Sequence, residues 1–185
     1  MKWLGRHWTL FSLAVLVISA GWIAWTSVST SAPTGGKTPA PRQGFLAPDF
    51  ELTTTKGETI RLSELAGRPV LVNIWASWCP PCKAEMPEME RIHQEYGPQG
   101  FTILAVNATN QDSLSSMAAF VDQEGLTFPI LLDSDGSVTR KYQVQALPSS
   151  FFVGRDGTVR QVMIGGPMSE AFLRSQVESL LAEEP

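Results

Sequence analysis

Residues Trp75–Cys82 read WASWCPPC and hold the only two cysteines of the 185-residue chain. The run before them, RPVLVNIW (68–75), is apolar and rich in β-branched side chains, in the manner of a buried strand. The run after them, PCKAEMPEMERIHQEYG (81–97), has a helix-forming composition. In it Met86, Met89, Ile92 and Tyr96 recur at spacings of three, three and four, and Gly97 is the expected stop. Pro87 lies inside this helix and is expected to kink it, because proline removes a donor and crowds the preceding turn. A strand running directly into a helix makes Cys79 the N-cap, with Pro80, Pro81 and Cys82 as the first three helical positions.

That placement has chemical consequences. Two thiols one helical turn apart have Cα atoms about 5 Å from each other, within the span of a disulfide, so the pair can open and close with little backbone movement. The positive end of the helix favours an exposed thiolate at Cys79, which makes Cys79 the nucleophile and Cys82 the resolving thiol. Neither Pro80 nor Pro81 has an N–H, so only the Cys82 amide can cap the sulfur. The thiolate then receives modest help, and the couple is expected to be reducing. A zinc site needs four ligands, and the chain adds only His7 and His93. A purely structural bridge enclosing two residues would constrain the unfolded chain very little. Copper held by Cys79, Cys82 and a methionine stays chemically open, with Met86 or His93 as the third ligand. No resident cofactor or metal is expected.

Composition narrows the partners. The chain is 43% hydrophobic and 17% charged, the composition of a globular domain with an added segment. Residues 1–42 carry Lys2, Arg6, Lys37 and Arg42 and no acid, so residues 43–185 hold ten bases against all 18 acids. Such an anionic domain repels phosphate backbones, and nucleic acid is excluded as a partner. From Trp8 to Val28 there are 21 residues without a charge, about 31 Å as a helix, enough to span a bilayer. Lys2 and Arg6 before it place residues 1–7 in the cytoplasm and the rest outside, as the positive-inside rule has it. A cleaved signal peptide is the competing reading, with SVS before Thr30 as a cleavage site. Residues 29–42, STSAPTGGKTPAPR, read as a flexible tether of roughly 20 to 50 Å that keeps a domain at 43–185 close to the membrane.

The remaining pattern alternates strands and helices. PDFELTT and ETIRL flank TKG as a hairpin, followed by a short turn of helix at SELAG. FTILAVNA is a second buried strand, and DSLSSMAAFVDQEG a helix with Asp112 as N-cap and Gly125 as stop. FPILLD is a short strand, SVTRKYQV a short helix, and SSFFVG with TVRQVMIG a second hairpin. The last helix, SEAFLRSQVESLLAEE, carries Leu173, Val177, Leu180 and Leu181 on one stripe. This is a one-domain α/β pattern.

LVNIWASWCPPCKAEMPEMERI, with ALPSSFFVGRDGTV about 65 residues on, resembles the TlpA/ResA-like branch of the thioredoxin superfamily over residues 44–183. The resemblance implies an α/β thioredoxin fold: a central mixed sheet flanked by helices, with an N-terminal β-hairpin and a helix-strand insert at about 110–135. A single transmembrane helix would precede it. It implies a membrane-anchored thiol:disulfide oxidoreductase on the extracytoplasmic, periplasmic side of a bacterial inner membrane, reducing protein disulfides through Cys79 and Cys82. Its partners would be disulfide-containing extracytoplasmic proteins, among them apocytochrome c or a copper-assembly protein, and a membrane electron donor. It also implies a cis Leu147-Pro148 bond against the cysteines, where a client peptide would pair along Leu147. X-Pro is the one peptide bond that readily adopts cis, and proline leaves a backbone edge without a donor.

Two further positions follow from the same likeness. Asn73 stands where ordinary thioredoxins have a buried aspartate and cannot titrate. Glu85, three residues after Cys82 on the same helix face, matches a glutamate tied to active-site proton chemistry. Trp78 is expected to shield Cys79 and meet partners, Trp75, Phe151 and Phe152 to lie in the core, and His93 to be an exposed helix residue. Peroxiredoxins, which share the fold, place a threonine three and a proline seven residues before their attacking cysteine. This chain has Ala76 and Val72 there.

Overall fold

The structure, a computed structural model, describes residues 38–183. The cytoplasmic N-terminus, the membrane span and most of the tether expected from the sequence lie outside the described residues. Among the described residues no helix is long and apolar enough to cross a membrane.

A five-stranded mixed sheet organises the domain, in the order β5-β4-β3-β6-β7. Its centre is β3 (Val70–Trp75), all six residues of which are buried. Parallel to it run β4 (Thr102–Asn107) and, beyond that, β5 (Ile130–Leu132); antiparallel to it run β6 (Ser149–Val153) and then β7 (Val159–Ile164). A strand with neighbours on both sides and layers on both faces is buried on both faces, which is why VLVNIW is apolar at every position except Asn73 and shows no alternation. The hairpin β1 (Glu51–Thr53) and β2 (Thr59–Arg61) forms as expected, as a separate two-stranded sheet. Its turn is held by Thr54 Oγ1, which accepts from the N–H groups of Lys56 and Glu58, and by Gly57 at φ +84°. The hairpin meets the edge of the main sheet through Thr54 and Leu131, and the Thr55 N–H donates to the Ile130 carbonyl, covering the β5 edge.

Side chains alternate across the sheet and divide the core. Val70, Val72, Ile74, Leu104, Val106, Phe151 and Val153 pack with Phe50, Leu62, Val138 and Tyr142 on one face. Leu71, Trp75, Ile103, Ala105 and Phe152 pack on the other, against helices α1 (Pro80–Tyr96), α2 (Leu114–Glu124) and α4 (Glu170–Leu181). The short helix α3 (Ser137–Lys141) supplies Val138 to the first face. Trp75, Phe151 and Phe152 are core residues, as read from the sequence. The period-two geometry puts Asn73 on the α1 face, between Leu71 and Trp75.

Gly97 is the C-cap of α1, as read from the sequence, although its backbone stays right-handed and a 3-10 turn over Gly97–Gln99 follows before the left-handed Gly100 at φ +95°. Two other local readings are corrected. Asp112 does not cap α2, because Ser113 does, its side chain accepting from the Ser116 N–H. Both are good cap residues, and Asp112 is engaged elsewhere. His93 is half-buried rather than exposed, its ring edge-on to Phe128 at 5.9 Å.

Candidate active site

Strand β3 ends at Trp75, and the chain reaches the N-terminus of α1 in four residues. Cys79 occupies the N-cap with extended backbone angles, and its sulfur accepts from the Cys82 N–H at 3.3 Å. Pro80 and Pro81 leave that amide as the sole local cap, as the two prolines require. Cys79 and Cys82 are joined as a disulfide, with Cα atoms 5.3 Å apart, so the structure shows the oxidised protein. The expectation of an exposed Cys79 sulfur is not met in this state: Cys79 is 3% exposed and Cys82 is fully buried, both within the apolar cluster under α1. The exposed neighbour is Trp78, at 57%, whose indole Nε1–H donates to the Gln111 carbonyl at 2.9 Å.

One turn beyond Cys82, Glu85 points into the core and has no exposed surface. Its Oε1 accepts from Asn73 Nδ2 at 2.8 Å and its Oε2 from the Met168 N–H at 3.0 Å. Burial pushes its carboxyl up to about 7, against the opposing pull of the Met168 N–H and the Asn73 amide. Asn73 also donates to Ser150 Oγ at 2.9 Å from the paired position on β6, while its own Oδ1 is buried without a partner. The position that cannot titrate thus serves the one that can. This is also a polar cluster short of hydrogen bonds, where charge is costly.

The loop between β7 and α4 closes the cluster. Leu147-Pro148 is cis, and so is Gly166-Pro167, which the sequence reading did not anticipate. The Gly165 N–H donates to the Pro148 carbonyl at 2.8 Å. A methyl group placed on Gly166 would fall 2.8 Å from Pro148 Cγ and 2.9 Å from Glu85 Oε2. Pro148 and the Glu85 carboxyl therefore flank a single glycine, and the cis-proline loop adjoins the helix that carries both cysteines. Leu147 is partly buried against both apolar clusters.

The structure gathers Cys79, Cys82, Glu85 and Pro148 at one end of the sheet, with Trp78 beside Cys79 on the surface. Sequence reasoning missed Ser150, Gly166 and the Met168 amide. Among the described residues no group of three or more His, Cys, Asp or Glu side chains converges as a metal site would require. What the arrangement can do is exchange a disulfide: a helix-terminal sulfur, a second sulfur able to displace what the first captures, and a carboxyl poised to hold a proton near neutrality.

Comparison with known proteins gives concordant results. The AhpC/TSA family model matches residues 44–162. A thiol-disulfide oxidoreductase ResA of Geobacillus kaustophilus is 38% identical over 91% of this chain and 91% of its own length. One from Halalkalibacterium halodurans is 35% identical over 96% and 97%. A crystal structure from Chlorobium tepidum, provisionally assigned as a thiol:disulfide interchange protein DsbE, superposes with a TM-score of 0.70 at 32% identity. It covers 76% of this chain and 99% of that one.

Proposed function

The chain belongs to the AhpC/TSA family and to the ResA-like thiol-disulfide oxidoreductases of the thioredoxin fold, and from that premise we propose a protein-disulfide reductase held at the outer face of a membrane. The observation that carries the direction is the pairing of a weakly capped Cys79 sulfur with a buried Glu85 carboxyl one turn past Cys82. In the reduced protein, Cys79 thiolate attacks one sulfur of a client disulfide; that S–S bond breaks, and the other client sulfur leaves as a thiolate. Cys82 then loses its proton to the Glu85 carboxylate and attacks Cys79. The second client sulfur is released and the Cys79–Cys82 disulfide closes. Two electrons pass to the client, whose sulfurs take up two protons, one of them relayed by Glu85.

The anchor reading is supported by the uncharged run Trp8–Val28 and by the likeness to the Halalkalibacterium protein, which extends over nearly the whole chain. In an oxidising compartment a reductant must be recharged, and a membrane protein that passes electrons from the cytoplasm fills that role. Clients are disulfide-bearing extracytoplasmic proteins, with apocytochrome c and copper-assembly proteins as the first candidates. Leu147 and the cis-proline loop supply the backbone edge along which the client pairs, and Trp78 its apolar contact. A peroxidase reading is disfavoured by Ala76 and Val72, apolar and fully buried where a peroxide would need polarising groups.

The test is a Cys82→Ser variant, which leaves the captured client attached to Cys79. The expected result is a mixed disulfide with extracytoplasmic proteins that dithiothreitol releases; absence of any adduct together with rapid consumption of hydrogen peroxide would replace this reading with the peroxidase one.

A further inference from the structure

The Asp112 carboxylate is the most heavily engaged acceptor near the disulfide, and none of its partners is a cation. Its Oδ2 accepts from the Ser77 N–H at 2.6 Å and from Asn107 Nδ2 at 2.7 Å; its Oδ1 accepts from the Ser77 hydroxyl at 2.6 Å and the Ser113 N–H at 2.8 Å. Two of these four bonds reach back 35 residues to the loop that carries Cys79. Helix capping does not require them, since Ser113 caps α2. The preceding turn adds a third tie to the same loop, because the Gln111 carbonyl accepts from Trp78 Nε1. Asn107, which ends β4 beside Trp75, is fully buried and donates to the same carboxylate oxygen as the Ser77 N–H. Charge-assisted bonds to backbone and hydroxyl donors are short and strong, and a carboxylate can satisfy four where an amide oxygen cannot.

This latch joins two surface features that are remote in sequence. The exposed large apolar side chains among the described residues are Trp78, Leu114 and Ile164. Two of them, Trp78 and Leu114, belong to segments that the latch fastens together, and Trp78 immediately precedes Cys79. An indole fixed by its own N–H loses little further freedom when a partner docks on it.

We propose that Asp112 is a positioning residue that clamps the central insert to the Ser77–Trp78 loop and so presents Trp78 and Leu114 as one preset apolar surface for the polypeptide flanking a client disulfide. The proposal rests on the reading of Trp78 as a client contact. Its occupant follows from continuity with the disulfide: any polypeptide whose disulfide reaches Cys79 must lay its flanking residues beside Trp78. In the reduced enzyme, Asp112 neither gives nor takes electrons or protons; it sets the geometry of the surface.

The experiment compares the full chain with Asp112→Asn and Trp78→Ala, using reduced insulin formation as the protein-disulfide assay and 5,5′-dithiobis(2-nitrobenzoate) as a small disulfide that needs no flanking surface. For Asp112→Asn the expected result is a KM for insulin raised about 3- to 10-fold with kcat little changed, and a rate with the small disulfide within about 2-fold of wild type. The Trp78 indole N–H resonance should shift and lose its protection from hydrogen exchange. For Trp78→Ala the insulin KM should rise at least as far. If Trp78→Ala raises KM while Asp112→Asn does not, the latch proposal is overturned and the client reading stands. If neither changes KM, the client reading of Trp78 is what fails. Equal losses with insulin and the small disulfide would mean that Asp112 serves the cysteines themselves, which also overturns the proposal. Asp112→Ala, which removes all four bonds, should exceed Asp112→Asn in the same direction.

Discussion

Glu85 and Glu90 lie five residues apart on α1, both buried, and the fold treats them in opposite ways. Glu90 accepts from the Thr127 N–H, the Thr127 hydroxyl and Gln94 Nε2, and His93 adds electrostatic attraction. Burial pushes its carboxyl up, but these partners outweigh burial and hold it below the usual range. Glu85 accepts from two amides only, and burial wins, raising it to about 7. Glu85 also lies deeper, with no exposed surface where Glu90 keeps 7%, so the depth of burial and the donors facing each carboxyl together decide which one titrates near neutrality. Glu90 pins the loop before β5, while Glu85 is left under-solvated beside the cysteines. That is the expected distinction between a structural and a functional carboxyl.

The largest effect that could break this comparison is in the pH dependence of stability. Glu85 has a folded value above its ordinary 4.5, so the folded protein keeps a proton that the unfolded chain releases between 4.5 and about 7. Its contribution to stability is full at low pH and is lost as pH rises through about 7. Comparing wild type with Glu85→Gln by urea unfolding across that window should show that the variant lacks a decline of about 3 kcal/mol. The pH profile of disulfide exchange should change with it, and an unaltered profile would remove Glu85 from the proton path. Next in size, Glu90→Gln should cost about 2 kcal/mol at pH 7, because one acceptor must serve donors that a carboxylate served with two. Glu90 acts with the opposite sign, its contribution present above 4.5 and lost as pH falls through a lower value. Exchange activity of Glu90→Gln should match wild type within about 2-fold.

Much of this was legible beforehand, and the misses have a common cause. β3, β4, β6 and the hairpins announce themselves by apolar runs between turn residues, and Cys79 as N-cap follows from a strand abutting a Pro-initiated helix. Glu85 was legible as a candidate, and its burial had a signal: it stands three residues after Cys82 and four before Met89, inside the apolar stripe of α1. Its partners had none. That Asn73 faces Glu85 depends on how α1 lies across β3, and Met168 arrives from a loop more than 80 residues away, with no periodicity to mark it. Asp112 was misread for a local reason, since Asp112 and Ser113 are equally good caps in sequence and only the tertiary contact to Ser77 separates them. His93 flanks the buried stripe, and Phe128 covers it only once the strands are assembled.

Smaller changes sharpen the comparison. Gly166→Ala would push a methyl against Pro148 and the Glu85 carboxyl, with an expected loss of about 1–2 kcal/mol in thermal or urea unfolding and a shifted Glu85 midpoint. Ser150→Ala removes one acceptor from Asn73 and should cost about 1 kcal/mol or less, leaving Glu90 untouched.

The most direct measurement is a carbon-13 titration of the side-chain carboxyls of Glu85 and Glu90 in the oxidised protein. A Glu85 midpoint near 7, with that of Glu90 below 4.5 in the same spectra, is the predicted result; a Glu85 midpoint at or below 4.5 would contradict the account.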